Sequence, residues 1–493
     1  MSKYEYDAVV IGGGSAGLTA SGIAAGIGAK TALIEANELG GDCTWTGCIP
    51  SKALIHIAEL AHQTEKAEEY GAKISEPVNA EKAFEYVRKK RQEVFEDADD
   101  PQIFRDMGID VIYAKASFED AHTLILKLNE TGEEKQITAR YIFIATGSHA
   151  QSPPIPGLRE TPHLNNESLF ELTSVPKSLS IIGAGPIGVE MGQALNRLGV
   201  YVTIIDAGDR ILRHDDLFLT NQLKELLEKE GLTIHLDAKI NEVTSDDSGK
   251  TISAEIKGET KNIISDEILV AAGRAPNING LNLEKAGINF SKRGIAVNDS
   301  GRTNKKNIYA IGDVAGRYQF THMAEHMAKV AVSKAMMKIP MKFDESHIVW
   351  ATYSSPEIAH LGATKSELDD KGITYETYKF PYTKVHRAVA DDASEGWIVI
   401  YAKKLSGKIL GASVLGKNAA ELISEYALAM RNGVSLRNIA DTIHPYPSYG
   451  LGARRGADQW YIKSQSPVLI KALRFIFRYN GPMPDLSDPD RIM

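Results

Sequence analysis

The chain has 493 residues, 43% hydrophobic and 24% charged, the balance of a soluble protein of about three folded domains. Its formal charge of −8 argues against a nucleic-acid binder, and its two cysteines exclude a disulfide-built scaffold. Residues 8–33 are apolar but rich in glycine, with no basic flank or cleavage site, so they predict neither a signal peptide nor a span, and a cytoplasmic protein is expected.

In chain order, residues 6–11 predict a short strand, followed by Gly12-Gly13-Gly14-Ser15-Ala16-Gly17, a helix over 18–27 and a strand over 31–34 ending in Glu35. This is a dinucleotide fingerprint in its structural context. Gly12 makes the tight turn, Gly14 lets the backbone approach a pyrophosphate, and Gly17 lets helix pack on strand. The helix N-terminus faces the phosphates, and Glu35, eighteen residues past Gly17, can accept from a ribose hydroxyl.

Residues 40–52, GGDCTWTGCIPSK, hold Cys43 and Cys48 with four residues between them, and Pro50 follows where a helix can begin. Unpaired N–H groups at a helix start favour a thiolate and lower the thiol pKa, which makes a reactive pair. A staple over so short a loop would contribute well under the roughly 3 kcal/mol of a fifteen-residue loop. Zinc lacks the remaining ligands, so no resident metal is expected. Redox use is the favoured reading. Trp45, between the two cysteines, is read equally well as site wall or core filler.

Residues 80–107 predict a charged helical stretch, in which Arg88-Lys89-Lys90-Arg91 sits among Glu81, Glu85, Glu93, Glu96 and Asp97 and reads as a solvated face. Strands follow at 111–118, 123–128 and 136–139, and a buried strand at 141–145 leads into Thr146-Gly147. Pro153, Pro154, Pro156 and Gly157 mark a boundary. The fingerprint then repeats: a strand at 178–182, Gly183-Ala184-Gly185-Pro186-Ile187-Gly188, and a strand at 200–205 ending in Asp206, again eighteen residues past the third glycine. Two such units imply two dinucleotides. A carboxylate at Asp206 suits a 2′-hydroxyl and repels a 2′-phosphate, so NADH is expected over NADPH.

A strand at 267–270 runs into Ala271-Ala272-Gly273-Arg274, echoing the first turn, and one at 308–311 ends in Gly312-Asp313, where a carboxylate can reach a cofactor hydroxyl. From about residue 346 strands and helices alternate, at 351–353, 397–402, 409–415 and a helix at 419–432.

These motifs together resemble the FAD-dependent pyridine nucleotide–disulfide oxidoreductases, in the branch of dihydrolipoamide dehydrogenase and mercuric reductase. The resemblance covers roughly residues 5–460 and rests on GGGSAG, GGDCTWTGCIPSK, ATG, GAGPIGVE, AAGRAPN, YAIGDVAG and SSPEIAHLG in family order. It implies an α/β chain with two Rossmann-like domains and a C-terminal α+β dimerisation domain. The implied boundaries are FAD domain 1–150 and 275–345, NAD(P) domain 151–274, interface domain 346–461 and tail 462–493. It further implies FAD on Gly12, Gly14, Gly17, Glu35, Thr146, Gly147, Gly312 and Asp313, and NAD(P)H on Gly183, Gly185, Gly188, Asp206, Gly273 and Arg274. Cys48 would lie against the flavin and Cys43 would meet substrate. Lys52 and Glu190 match the family's ion pair beside the flavin, and a homodimer completes the site.

The chain departs from the family pattern in two places, the first of which bears on the acceptor. Disulfide-acting members carry a His-Pro-Thr-x-x-Glu segment that supplies the acid–base dyad. Here the stretch is His444-Pro445-Tyr446-Pro447-Ser448-Tyr449-Gly450-Leu451, with Tyr446 at the His position and Leu451 at the Glu position. A shift putting His444 in the role leaves its orienting acid missing. Tyrosine there resembles mercuric reductases, whose C-terminal cysteine pair is absent. The expected function is electron transfer from NAD(P)H through FAD and the Cys43–Cys48 disulfide to a metal ion, quinone or disulfide. The alternatives are a dihydrolipoamide dehydrogenase using His444, or a non-catalytic redox-sensing flavoprotein. The second departure is the tail segment 467–478, PVLIKALRFIFR, with Lys471, Arg474 and Arg478 on one ridge and Leu469, Leu473 and Ile476 on another. Packing of such a helix on the dimer is the favoured reading, since apolar helical faces mostly bury against protein, and an anionic membrane surface is the alternative.

Overall fold

The computed structural model describes residues 3–72, 76, 78–247 and 249–483. One compact unit comprises residues 1–183, 194–205 and 239–343, and a second comprises 184–193, 206–238 and 344–493.

In the first unit, Tyr6–Ile11 is buried at nearly every position, as a strand covered on both faces must be. It pairs in parallel with Thr31–Glu35 on one side (Val9 beside Ala32) and with Glu134–Ile144 on the other (Val9 beside Ile142). Ile109–Phe118 extends the sheet beyond Thr31–Glu35, and Ile308–Ala310 extends it beyond Glu134–Ile144, both in parallel. Thr123–Leu128 bridges Ile109–Phe118 and Glu134–Ile144 as an antiparallel flap. Chain direction then dictates where function collects. Gly12, Glu35, Thr146 and Gly312 all follow or end parallel strands, so they share one sheet edge, the carboxyl edge at which open α/β sheets bind ligands. The same unit holds a second parallel set, Glu267–Val270, Ser178–Ile182 and Tyr201–Ile205.

Several expected elements change shape. The separate strands at 136–139 and 141–145 are one strand, Glu134–Ile144, because its outer half pairs with the flap and its inner half with Tyr6–Ile11. The helix expected at 18–27 starts earlier, at Ser15. The charged stretch 80–107 divides into Ala80–Val94, a π turn Phe95–Asp99 and Pro101–Asp106, since Pro101 has no N–H to continue the ladder. Its basic run is not wholly a solvated face. Arg91 is buried, donates from Nη1 to Trp45 O (2.9 Å) and pairs with Glu171 (2.6 Å), while Arg88 donates to Leu172 O.

In the second unit five antiparallel strands run in the order Val349–Thr352, Glu357–Gly362, Ile409–Gly416, Trp397–Ala402, Glu376–Pro381. The helices Ala419–Arg431 and Gly450–Ser464 share a core with this sheet around Tyr378, Phe380, Tyr382 and Tyr426. His360 belongs to this framework. Burial drives its pKa down to about 4, and its ring bridges Ser413 Oγ (2.7 Å) and Gly362 O (3.0 Å). No described helix is long and apolar enough to cross a membrane.

Candidate active site

Cys43 lies in the short helix Gly41–Trp45, and Cys48 opens the helix Cys48–Ala67. The helix thus begins two residues before Pro50, with no side-chain cap and no acid in its first turn, which leaves its N–H groups for the sulfur at its start. Both sulfurs are present as thiols, half-buried. Cys43 is hydrogen-bonded to Cys48, and that bond, followed by burial and by the charge Cys48 would carry, pushes the Cys43 thiol well above its ordinary range. The lowered thiol pKa expected at a helix start therefore does not extend to Cys43. A charge on Cys43 would stand beside the one Cys48 carries when ionised, so the two thiols resist losing both protons.

Two hydroxyls that the sequence does not flag join the pair. Thr321 Oγ1, at the start of the helix Thr321–Met336, is 3.2 Å from Cys48 Sγ, and Thr321 and Ser15 both hydrogen-bond Cys43. Ser15 is the first helical residue after the Gly12–Gly14 turn. The cysteines and the first fingerprint are therefore one site.

The segment is braced from below. Trp45 donates its indole N–H to Leu39 O (2.7 Å), packs 5.1 Å from the Phe95 ring and carries the Arg91 guanidinium over its face. Thr44 donates to the buried Asp99 on the π turn. Trp45 thus fills the layer beneath the site, and the break in the charged helix is what carries Asp99 to Thr44.

At the fingerprint, Gly12 has φ of 106° and a Cβ there would strike Ala145 O. Gly14 faces only Gly41, 3.8 Å from where its Cβ would be, and the helix Ser15–Gly26 has neither a side-chain cap nor an acid in its first turn. Glu35 turns back onto this loop and accepts from Gly13 N (2.6 Å) and Asn37 N (2.7 Å). Across the same edge, Asp313 is held above the usual carboxylate range by burial and accepts from Ser148 Oγ (2.6 Å). Arg274 donates to Ser148 Oγ (2.7 Å) and Ser148 O (2.9 Å) and pairs with Asp42, the neighbour of Cys43. Thr146 exchanges hydrogen bonds with Asn277, and Gly147 has φ of 69°. Gly312 and Gly273 are likewise left-handed turns. Of the residues expected on the nicotinamide nucleotide, Arg274 therefore stands with the cysteine segment and Asp313.

Gly183 repeats the geometry of Gly12, with φ of 115°, against Ala271 O. Gly185 opens to empty space, and Gly188 sits in the first turns of the helix Pro186–Arg197. Asp206 mirrors Glu35, accepting from Ala184 N and Gly208 N, both at 2.6 Å. Lys52 donates to Ser51 Oγ (3.3 Å), and the buried Glu190 accepts from Tyr353 N (2.8 Å).

In the second unit, the segment 444–451 presents Tyr446, 69% exposed, with its hydroxyl 3.2 Å from His386 Nδ1. His444 points inward, its side chain 9% exposed, with Nε2 on Glu425 Oε1 (2.9 Å) and Nδ1 on Thr442 O (3.0 Å). The expectation that His444 lacks an acid is therefore corrected: Glu425, on Ala419–Arg431, supplies one. Neither His386 nor Glu425 is marked by any sequence motif. Leu451 lies in the first turn of the helix Gly450–Ser464 and offers no acid. Among the described residues no cluster of three or more His, Cys, Asp or Glu is arranged to hold a metal ion.

Comparison with known proteins agrees with this geometry. Residues 6–328 match the family described as pyridine nucleotide-disulphide oxidoreductase, and residues 348–452 match its dimerisation domain. The chain is 34% identical over 457 residues to a dihydrolipoyl dehydrogenase of Bacillus subtilis, covering 90% of this chain and 95% of the relative. It is 32% identical over 455 residues to a mercuric reductase of Bacillus cereus, covering 92% of this chain and 71% of the relative. Among solved structures, the Cu(II) complex of the HOCl-induced flavoprotein disulfide reductase RclA from Escherichia coli superposes with a TM-score of 0.81 at 27% identity, over 93% of this chain and 100% of that one. The dimerisation domain supports a homodimer. The chain belongs to the pyridine nucleotide-disulphide oxidoreductases, NAD(P)H-dependent flavoprotein enzymes built around a redox-active cysteine pair.

Proposed function

We propose that the chain reduces a small thiophilic acceptor, a soft metal ion in preference to a disulfide, at Cys43 and Cys48 with electrons from NADH. The observation that carries this reading is the pairing of a dithiol with a segment 444–451 in which Tyr446 is the exposed side chain and the segment's one imidazole, His444, is turned inward. Tyr446 stands exposed where the family's histidine is expected, and both ring nitrogens of His444 are engaged by acceptors. Two thiolates suit soft, low-coordinate ions such as Hg(II) or copper. The mercuric reductase relative and the Cu(II)-bound RclA structure support the same class.

The residues present suit FAD. The left-handed Gly12, the open approach at Gly14, the uncapped helix Ser15–Gly26 and the buried Asp313 form a cradle for a pyrophosphate and its ribityl hydroxyls. When bound, FAD supplies the two-electron exchange between a nicotinamide hydride and the cysteine pair. The chain's own part is to hold the sulfurs and their proton. Cys43 receives the acceptor as the outer thiol, Thr321 and Ser15 donate to the pair as charge develops, and Arg274 with Asp42 keeps the segment in place. When the dithiol closes to a disulfide, two electrons reduce Hg(II) to Hg(0), or two Cu(II) to two Cu(I), and two protons leave.

Disulfide exchange additionally needs a proton delivered to the leaving thiolate, help that is typically worth 10² to 10⁴-fold. Turnover of dihydrolipoamide with NAD should therefore be slower than Hg(II) or Cu(II) reduction by about that factor, and His444→Ala should change it little. Steady-state rates for wild type, His444→Ala and Tyr446→Phe test this. Fast wild-type turnover that collapses only in His444→Ala overturns the reading and makes the chain a dihydrolipoamide dehydrogenase acting through His444 and Glu425.

The NADH preference rests on Asp206. Its carboxylate is fixed by two backbone N–H groups, and Arg210 donates Nη2 to Arg213 O (2.7 Å) instead of standing ready for a 2′-phosphate. Removing the repulsion with Asp206→Ala should narrow the kcat/KM ratio of NADH to NADPH by about tenfold, the effect of roughly 1.4 kcal/mol. A wild-type preference for NADPH refutes it.

A further inference from the structure

Among the described residues, nothing buries any side chain of the tail helix. Ser466 caps it by accepting from Leu469 N (3.1 Å), Pro467 occupies its first turn, and it runs Pro467–Phe477 with no residue buried. Residues 484–493 of the tail lie outside the described residues. Val468 is 76% exposed, Phe475 86%, Ile476 65% and Phe477 58%, values typical of polar surface positions, not of phenylalanine and isoleucine. At 3.6 residues per turn, Lys471, Arg474 and Arg478 share a narrow sector, while Leu469, Leu473, Ile476 and their neighbours spread over the remainder.

We propose that this helix docks the enzyme on an anionic lipid surface, lying in the plane of the headgroups. Charge complementarity selects this occupant over a second copy of the chain. No Asp or Glu occurs between Asp458 and Asp485, so the helix carries Lys471, Arg474 and Arg478 with no acid among its own residues, on a chain whose total is −8. An anionic surface attracts this segment and repels the remainder, which orients the enzyme with only the tail inserted. Two copies of the helix packed about a two-fold axis would bring like charges together. The family's dimerisation domain ends at residue 452, before the helix begins. Eleven residues span about 16 Å, roughly half a bilayer core, so the helix lies flat. Phe475, Phe477 and Tyr479 supply the aromatic contacts that such helices sink to the headgroup boundary.

The test is flotation of the full-length flavoprotein with phosphatidylcholine vesicles, with and without a third of phosphatidylglycerol. Binding is expected only with the anionic vesicles and should weaken with salt. Each basic residue is worth about fivefold, so Lys471→Gln, Arg474→Gln and Arg478→Gln combined should lower partitioning by about 100-fold. Phe475→Ser with Ile476→Ser should release the protein as well, leaving NADH oxidation and sedimentation as a dimer unchanged. Failure to float with anionic vesicles, equal binding to neutral ones, or a dimer that dissociates in the Phe475/Ile476 variant while flotation persists overturns the proposal.

Discussion

Cys43→Ser and Cys48→Ser are each expected to lower NADH-dependent metal-ion reduction by roughly 10³-fold or more, the scale on which removing one member of a catalytic unit disables the whole. A serine hydroxyl can hold Thr321 or Ser15 but cannot take part in a disulfide, so no electron pair leaves by that route. The two variants should also differ from each other. In wild type the Cys43 thiol is pushed up first by its hydrogen bond to Cys48, then by burial and by the neighbouring charge. Cys48→Ser removes the first and third of these, so the Cys43 pKa should fall toward the ordinary thiol range and its alkylation at mildly alkaline pH should speed up. Rates of acceptor reduction and of thiol alkylation, measured on both variants, check the assignment. A Cys43→Ser enzyme that still reduces the metal at near wild-type rate would sink it.

Gly12→Ala and Gly17→Ala should cost the protein both its cofactor and much of its stability. At Gly12 the backbone has φ of 106° and a Cβ would strike Ala145 O, so strain and overpacking add to about 3 kcal/mol or more. At Gly17 the helix approaches the turn so closely that a Cβ would overlap Gly12 O. Gly26→Ala is the control: it lies in the same helix, with nothing within 4 Å of its Cβ, and should be neutral or stabilising by up to about 1 kcal/mol. Flavin content by absorbance and urea midpoints for the three variants report on the two effects separately. Full FAD binding and wild-type stability in both of the first two variants would contradict the fingerprint.

The legible parts of the chain were those whose cause is local. A left-handed turn accepts glycine almost alone, a pyrophosphate needs bare backbone, and an acid ends each second strand, so Gly12, Gly183, Glu35 and Asp206 announce themselves within about thirty residues. The cysteine pair was visible for the same reason. The helix that Cys48 opens begins two residues before Pro50. Hydrophobic pattern also located the strands of the two fingerprint units, but Glu134–Ile144 reads as two, and Lys239–Asp246, Gly249–Ile256, Glu259–Ser265, Glu357–Gly362 and Glu376–Pro381 carry no pattern that marked them.

What surrounds the sulfurs was invisible until the chain folded, because each partner comes from far along the sequence and is an ordinary residue type. Thr321 is 273 residues from Cys48, and Arg274 is 232 from Asp42. Arg91 looked like one charge in a solvated run, yet burial, paired with Glu171 and Trp45 O, makes it a brace under the site. The segment 444–451 shows the division most clearly. Its composition already told that histidine and glutamate are missing from their usual places. Which way each ring turns is a matter of packing: Glu425 draws His444 inward, and Tyr446 is left at the surface beside His386. Backbone conformations are written in consecutive residues, whereas the pKa of a thiol or the reach of an imidazole depends on neighbours that only the folded sheet edges and helix ends bring within a few ångströms.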